Sequence, residues 1–296
     1  MIPNTQGTSP DSESTSTAVA PPPREALLQG VNLLPASPQI LARLDPLLAN
    51  AGSSVQDVTG LLRRDPALTA RIIRIANSVI YNRGEPVASI EEALLRIGFS
   101  EVYRVTGFAV MAQVTNQRIP LYDITGAQFR ENSLLTALIV EALAKHTGAD
   151  PRLAYTAGLL RSTGKIALDR AIRGRTGDGE VEPYHRGPLS EWELGTFGMT
   201  NGEAAAIVLE AWRFPTAMVE AVRDHATAPA EAELLTRLLH LAAAATERCG
   251  HGLPGEFACW ELTPEAYAAA HLDELALDDA MRAALEAFGP VRAALA

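Results

Sequence analysis

The stretch that decides the fold is DPRLAYTAGLLRSTGKIALDRAI, residues 150–172, whose apolar residues recur with the spacing of a helix. Asp150 can cap a helix, and Pro151 suits the first helical position. Its central part, Gly158–Lys165, has the glycine and lysine of a phosphate-binding loop. Such a loop has four residues between its first glycine and the Gly-Lys pair, followed by Ser or Thr. Five residues intervene here and Ile166 follows, so the stretch is predicted to be one helix.

The helical spacing extends outward from this stretch over most of the chain. From Arg24 onward it has short breaks and no run of alternating strand residues, so an all-α protein is predicted. Several helix starts carry capping residues: Asp65 before Pro66, Ser89 with Glu92, and Thr263 before Pro264.

Breaks in the pattern predict how the chain is divided. Residues 1–23 are rich in Ser, Thr and Pro, which predicts a disordered tail. NQRIPLYDI at 116–124 interrupts the helical spacing, and the Gly/Pro-rich stretch 173–190 predicts a mobile or functional loop, with plain disorder as the alternative. The predicted parts are therefore an N-terminal helical part, a central helical part and a helical extension that packs on them: 24–118, 119–230 and 231–296.

Charge and length exclude some partners. The 296 residues carry a net charge of −10, which opposes broad contact with nucleic acid or anionic lipid. Only a local arginine cluster, such as the four at positions 63, 64, 71 and 74, would serve nucleic-acid binding. No signal peptide or run of about 18 apolar residues is evident, which predicts no membrane segment.

The two cysteines predict reduced thiols and a cytoplasmic location. Cys249 and Cys259 lie on either side of His251, but a zinc site needs a fourth ligand. Ordinary packing is therefore the prediction for these three residues. The tryptophans at positions 192, 212 and 260 are likewise predicted to fill gaps between helices.

Two N-terminal segments carry a family resemblance. LLRRDPALTARIIRIANSVIYN at 61–82 is followed by SIEEALLRIGFSEVYRV at 89–105, which resembles the HDOD family, the HD-related output domain. The resemblance continues through TAGLLRSTGK, NGEAAAIVLEAWRFP and AVRDHA, and covers roughly residues 30–230. It implies an all-α, multi-helix domain with an N-terminal helical subdomain and a C-terminal bundle like that of HD hydrolases.

The resemblance also identifies the positions where an active HD hydrolase holds its metal through His and His-Asp ligands. Asn132 stands at the early histidine, Arg161 and Ser162 at the His-Asp pair, and Asn201 at the next histidine. Only His225 keeps an imidazole. The neutral amides are poor transition-metal ligands, and the charge of Arg161 repels a dication. Neither a metal nor another cofactor is therefore predicted, and no catalytic residue is assigned.

Two interpretations of these five positions remain open. In one, Arg161 replaces the charge of the metal and pairs with a nearby carboxylate or an anionic ligand, with hydrogen bonds from Asn132 and Asn201. In the other, Arg161 reaches solvent or closes an internal ion pair, and His225 is a hydrogen-bonded histidine between helices or at a helix end.

The resemblance implies a bacterial regulatory module that acts through protein contact. The expected partners are signalling proteins: a sensor kinase, a response regulator or a cyclic-dinucleotide enzyme. The alternative is a divergent metal-dependent phosphohydrolase or cyclic-nucleotide phosphodiesterase. That enzyme would contain metal and would lose turnover when His225 is replaced.

Overall fold

The computed structural model describes residues 20–32, 38–50, 52–78, 81, 84–114, 118–176, 181–229, 231–260 and 262–295. The predicted tail lies mostly outside this range. Within it the chain is all helical apart from turns and an isolated bridge between Ile119 and Ile124, which confirms the predicted fold class. None of its helices is long and apolar enough to cross a bilayer.

The helices of the N-terminal half are α1 Arg24–Asn32, α2 Gln39–Ala49, α3 Val55–Leu62, α4 Pro66–Ala76, α5 Ile90–Ile97 and α6 Phe99–Val114. Those of the remainder are α7 Gly126–Thr147, α8 Pro151–Leu160, α9 Thr163–Thr176, α10 Leu189–Phe197, α11 Asn201–Ala211, α12 Thr216–Asp224, α13 Leu234–Arg248, α14 Pro264–Ala269 and α15 Glu274–Leu295.

The predicted helix starts are confirmed. The side chains of Asp65, Ser89 and Thr263 each accept a hydrogen bond from the backbone N–H three residues later. The Glu92 carboxylate accepts from the N–H of Ala88 rather than from Ser89, so the reciprocal bond of the capping box is displaced by one residue. Local capping chemistry thus fixes where α4, α5 and α14 begin.

The second half is built around α7, the long helix that contacts α8, α13 and α15. The residues from 132 to 140 are all buried, whichever way they face, so α7 forms the centre of the bundle. Helix α9 packs on α11, and α1 packs on both of them. The first helix therefore contacts the second half of the chain, although the sequence division placed it with the N-terminal part.

Residues 150–172 form two helices, whereas the sequence predicted one. Helix α8 ends at Leu160, the chain turns at Arg161 and Ser162, and α9 begins at Thr163. The Thr163 hydroxyl donates to the carbonyl of Leu160, the last residue of α8. The turn therefore falls on Arg161 and Ser162, the two residues that the sequence analysis singled out.

Two glycines of the same stretch permit close helix packing. A Cβ at Gly158 would lie 2.7 Å from Ala137 Cα on α7, and one at Gly164 would lie far inside the van der Waals contact distance of the Asn201 carbonyl oxygen on α11. The glycines bring backbones together, a role unrelated to phosphate binding.

The two predicted breaks are present, with changed limits. Residues 118–125 form a turn that contains a short 3-10 helix at Pro120–Tyr122. The second break is shorter than predicted, because α9 extends through Thr176 and α10 begins at Leu189. Between them, Tyr184 is buried, and its N–H donates to the carbonyl of Leu121. The described part of this loop is thus tied to the preceding turn.

Candidate functional site: a buried ion network

Arg161 lies at the centre of the site, where α8 ends. Its side chain is buried, and Nη2 donates to Asn132 Oδ1 at 2.6 Å and to Glu256 Oε2 at 2.8 Å. Nη1 donates to Glu256 Oε1 at 3.2 Å and points to His225 Nε2 at 3.4 Å. The guanidinium therefore joins three side chains from distant parts of the chain, and Glu256 engages both of its terminal nitrogens.

His225 is held as a neutral acceptor. Its Nδ1 lies 2.9 Å from the carbonyl of Val222, so Nδ1 carries the proton and Nε2 presents a lone pair to Arg161. Burial, together with the positive charge of Arg161, lowers the pKa of His225 to about 3. The ring is thus neutral over the ordinary pH range, and the lone pair of its Nε2 is directed at a cation.

Glu256 is fully ionised in the site. Burial raises the pKa of this carboxyl, but the charges of Arg161 and Lys165 together outweigh it and bring the pKa to about 2. Lys165 Nζ lies 3.3 Å from Glu256 Oε1 and 4.8 Å from the centre of the Tyr122 ring. The carboxylate is therefore shared by two cations, and Lys165 makes an additional cation–π contact.

Glu193 completes the network on the far side of Lys165. Its Oε1 is 4.0 Å from Lys165 Nζ and accepts from the Tyr122 hydroxyl at 2.8 Å. Its Oε2 accepts from the backbone N–H and the Nδ2 of Asn201, at 2.9 and 3.2 Å. Lys165 thus links two clusters, one around Arg161 and one around Glu193.

The four ionised members balance one another. Arg161 and Lys165 carry two positive charges, Glu256 and Glu193 carry two negative charges, and none is more than 4% exposed. We refer to these four residues as the ion network. Buried charges are tolerated when they are paired and hydrogen-bonded, and a network that loses one member leaves a charge that is costly to keep from water.

Trp260 covers one side of the network. Its ring stacks on His225 at a centroid distance of 5.8 Å and an interplanar angle of 30°, and Arg161 Cζ lies 5.6 Å from the ring centre. His240 approaches Trp260 edge-on at 5.6 Å, and its Nδ1 donates to the carbonyl of His225. Trp192 and Trp212 pack in the core as predicted, whereas Trp260 belongs to the site.

The structure brings the predicted positions together unequally. Asn132 and His225 both contact Arg161, and the Asn132 amide also donates to the carbonyl of His251. Asn201 bonds to Glu193 instead, and in the described part of the chain it reaches Arg161 through Glu193, Lys165 and Glu256. Ser162 is buried, and its hydroxyl has no hydrogen-bond partner among the described residues. Arg161 thus forms the internal ion pair, one of the two alternatives that the sequence left open.

The donor set does not fit the metal of an HD hydrolase. The lone pair of His225 and the amide oxygen of Asn132 are both directed at Arg161, and the guanidinium would repel a dication. In the part of the chain that the structure describes, no three His, Cys, Asp or Glu side chains are placed to hold an ion. Cys249 and Cys259 are free thiols, and His251 Nδ1 lies 3.3 Å from Glu131 Oε2 instead.

Four residues of the site were not identified from the sequence: Lys165, Glu193, Glu256 and Trp260. A signal existed for Lys165, a cation directly before the apolar run Ile166–Leu168, and for Glu256, an acid within the apolar run GEFACW. Both become interpretable only when the chain is folded, because 95 residues separate Arg161 from Glu256.

The described residues form an all-helical protein with a buried ion network at the end of α8. Residues 34–228 match the HDOD domain family, which covers more than half of the chain. The chain therefore belongs to the HDOD family, as its N-terminal segments predicted. No curated protein matches the chain.

Solved structures share the fold. An HDOD domain protein with unknown function from Geobacter sulfurreducens superimposes with a TM-score of 0.66 and 19% identity, covering 92% of this chain and 95% of its own. A candidate signal transduction protein from Marinobacter aquaeolei has a TM-score of 0.63 and 19% identity, and the match covers 92% of this chain and 64% of that one. A candidate phosphohydrolase from Shewanella amazonensis has a TM-score of 0.58 and 24% identity, and the match covers 92% of this chain and 98% of that one. At these identities the likeness establishes the fold alone.

Proposed function

We propose that this protein is a non-catalytic regulatory HDOD protein that acts by contact with a signalling protein. The observation that supports it is the ion network. A charged Arg161 stands at the position of the metal-binding pair, and Glu256 neutralises it from within the chain. Hydrolysis by an HD enzyme needs a metal that activates water, and these side chains offer that metal no ligand set.

The network also disfavours an anionic ligand at Arg161 itself. Both terminal nitrogens of the guanidinium already contact Glu256, and Lys165 lies against the same carboxylate. An incoming anion would have to displace Glu256 and leave its charge buried. In our proposal the network has a structural role: it keeps the bundle closed in a single arrangement.

Metal content and hydrolysis distinguish this proposal from the enzyme. The protein should be purified without chelator, analysed by mass spectrometry for metals, and assayed with bis(p-nitrophenyl) phosphate in added Mn²⁺. We expect neither stoichiometric metal nor turnover above that of the His225→Ala variant. Stoichiometric metal, with turnover that disappears in His225→Ala, would establish the phosphohydrolase instead.

The partner part of the proposal requires a separate experiment. Crosslinking in the native host, followed by mass spectrometry of the captured complexes, should recover a sensor kinase, a response regulator or a cyclic-dinucleotide enzyme. An Arg63→Glu variant, changed at an exposed position, should still fold. Comparing its captured complexes with those of the wild type shows whether a change of surface charge alters their recovery. Repeated recovery of no signalling protein would argue against regulation by contact.

A further inference from the structure

A cavity of about 430 Å³ lies beside the ion network, on the side of His240. Its walls come from the start of α10, the residues after α12, helices α13 and α14, and the short 3-10 turn Phe257–Cys259. This volume falls within the range of small-molecule sites. Its lining includes none of the five positions named from the family resemblance and none of the four residues of the ion network.

The lining is apolar over most of its area, with a few polar groups at defined places. Leu189 and Leu241 form an aliphatic wall, together with small residues. Ser190 and Thr227 contribute hydroxyls, and Arg237 contributes a guanidinium. Convergent polar groups on an apolar lining are characteristic of small-molecule sites, in which the polar groups set the orientation of the ligand.

The charge of the lining is positive. Its described residues include Arg237 but neither Asp nor Glu, although the whole chain has 35 acidic residues and a net charge of −10. Burial raises the pKa of the Cys259 thiol, so this residue adds no negative charge. Arg237 Nε donates to the carbonyl of Ala232 at 2.8 Å, which orients the planar guanidinium. An anionic group is therefore favoured in this cavity.

The cavity shares residues with the wall of the ion network. Ala258 and Cys259 line it and lie in sequence between Glu256, which pairs with Arg161, and Trp260, which stacks on His225. A molecule in the cavity would thus contact the segment that closes the network.

We infer that this cavity binds a small organic anion with an apolar body, whose charged group lies at Arg237 and whose body lies on Leu189 and Leu241. Such a ligand would be a carboxylate or a phosphate monoester. The site is separate from the Arg161–Glu256 ion pair. Occupation of the cavity would fix the Glu256–Trp260 segment, which would let the regulatory protein of our proposed function sense a metabolite.

The test compares a charged and a neutral probe of nearly the same shape. 8-Anilinonaphthalene-1-sulfonate carries an anionic group on an aromatic body, and N-phenyl-1-naphthylamine lacks that group. We expect the sulfonate to bind the full chain at one site, about tenfold or more tighter than the neutral dye, since a hydrogen bond to a charged group is worth about 1.5–3 kcal/mol. Titrations by dye fluorescence and calorimetry measure both affinities.

Variants locate the site. Arg237→Met should weaken the sulfonate by about tenfold and leave the neutral dye unchanged, whereas Arg63→Met, at an exposed arginine of the N-terminal half, should change neither. Ala258→Phe, at an exposed position on the cavity rim, should block both dyes. If Arg237→Met fails to fold, as judged by circular dichroism, the Ala258→Phe variant still tests the site.

Competition with 1-naphthoate and 1-naphthyl phosphate then shows which charged group is preferred. Displacement of the dye by either compound supports the inference. The inference fails if both dyes bind equally well, if several weak sites are found, if Ala258→Phe binds normally, or if neither competitor displaces the dye. These readouts do not depend on metal content, so they can fail independently of the proposed function.

Discussion

Glu256→Gln removes one charge from the ion network with little change in shape. The wild-type carboxylate accepts from two nitrogens of Arg161, at 2.8 and 3.2 Å, and lies 3.3 Å from Lys165 Nζ. The amide of glutamine offers one acceptor oxygen, and its NH₂ group would face N–H donors of Arg161. Two buried cations would then be left with Glu193 as the single ionised carboxylate of the network.

The pKa of Glu256 gives the magnitude. Lowering a carboxyl pKa from 4.5 to about 2 stabilises the folded state by about 3 kcal/mol, at about 1.4 kcal/mol per tenfold change in proton affinity. Removing one partner of a buried ion pair costs about 3–5 kcal/mol. We expect Glu256→Gln to lower the free energy of unfolding at pH 7 by about 3–5 kcal/mol. Because folding lowers the pKa of Glu256, the wild type loses this stabilisation of about 3 kcal/mol as the pH falls from 4.5 towards 2.

Urea unfolding followed by circular dichroism measures the effect. The matched control is Glu210→Gln, which breaks an exposed ion pair with Arg24 and should change stability by less than about 1 kcal/mol. The double variant Lys165→Met/Glu256→Gln restores the charge balance. Its loss should be smaller than the sum of the single losses by more than about 1 kcal/mol. The reasoning is refuted if Glu256→Gln resembles the control, or if the two losses simply add.

Two further predictions concern His225 and the packing glycines. The pKa of His225, about 3, is below that of an unfolded histidine, so protonation favours the unfolded chain, and stability falls as the pH drops from 6.5 towards 3. Urea titrations at several pH values measure how the free energy of unfolding depends on pH. His225→Gln should flatten this dependence between pH 6.5 and 4.5, whereas the control His185→Gln, at an exposed position, should retain it. An unchanged pH dependence in His225→Gln would contradict the neutral, buried state of His225. Gly164→Ala places a Cβ against the carbonyl of Asn201 and should lower the free energy of unfolding by about 3 kcal/mol or more. At Gly174 nothing lies within 4 Å of an added Cβ, so Gly174→Ala should leave the free energy of unfolding unchanged or raise it by up to about 1 kcal/mol. Equal unfolding midpoints for the two alanine variants would contradict the close approach.

The parts of the fold that could be predicted are those with local causes. Asp65 and Thr263 mark helix starts because a capping side chain acts on a backbone N–H three residues away. The turn around Pro120 is also local, since proline and the polar residues near it disfavour a continuous helix. The break after Leu160 was not predicted, because the residues on either side of it keep a helical apolar pattern. After the break, α9 packs against α11 through Gly164, a long-range contact that the local pattern does not indicate.

The site could be predicted only in part, for a related reason. The positions given by the family resemblance identified Arg161 and His225 as site residues, and their chemistry led to the prediction that no metal binds. Nothing near them in the sequence indicated that Glu256 would supply the counter-charge. That pairing depends on how α13 and the segment after it return to the end of α8. Whether a buried cation meets a ligand or an internal acid is decided by such long-range contacts.

The position of Glu256 also bears on how this protein could be divided or recombined. The family match ends at residue 228, yet the carboxylate that neutralises Arg161 and Lys165 comes from beyond that limit. A gene fusion that transferred residues 34–228 alone would carry two buried cations and leave one of their two counter-ions behind. A segment that carries the whole ion network must therefore extend beyond residue 228, where the family match ends, and include the residues through Trp260.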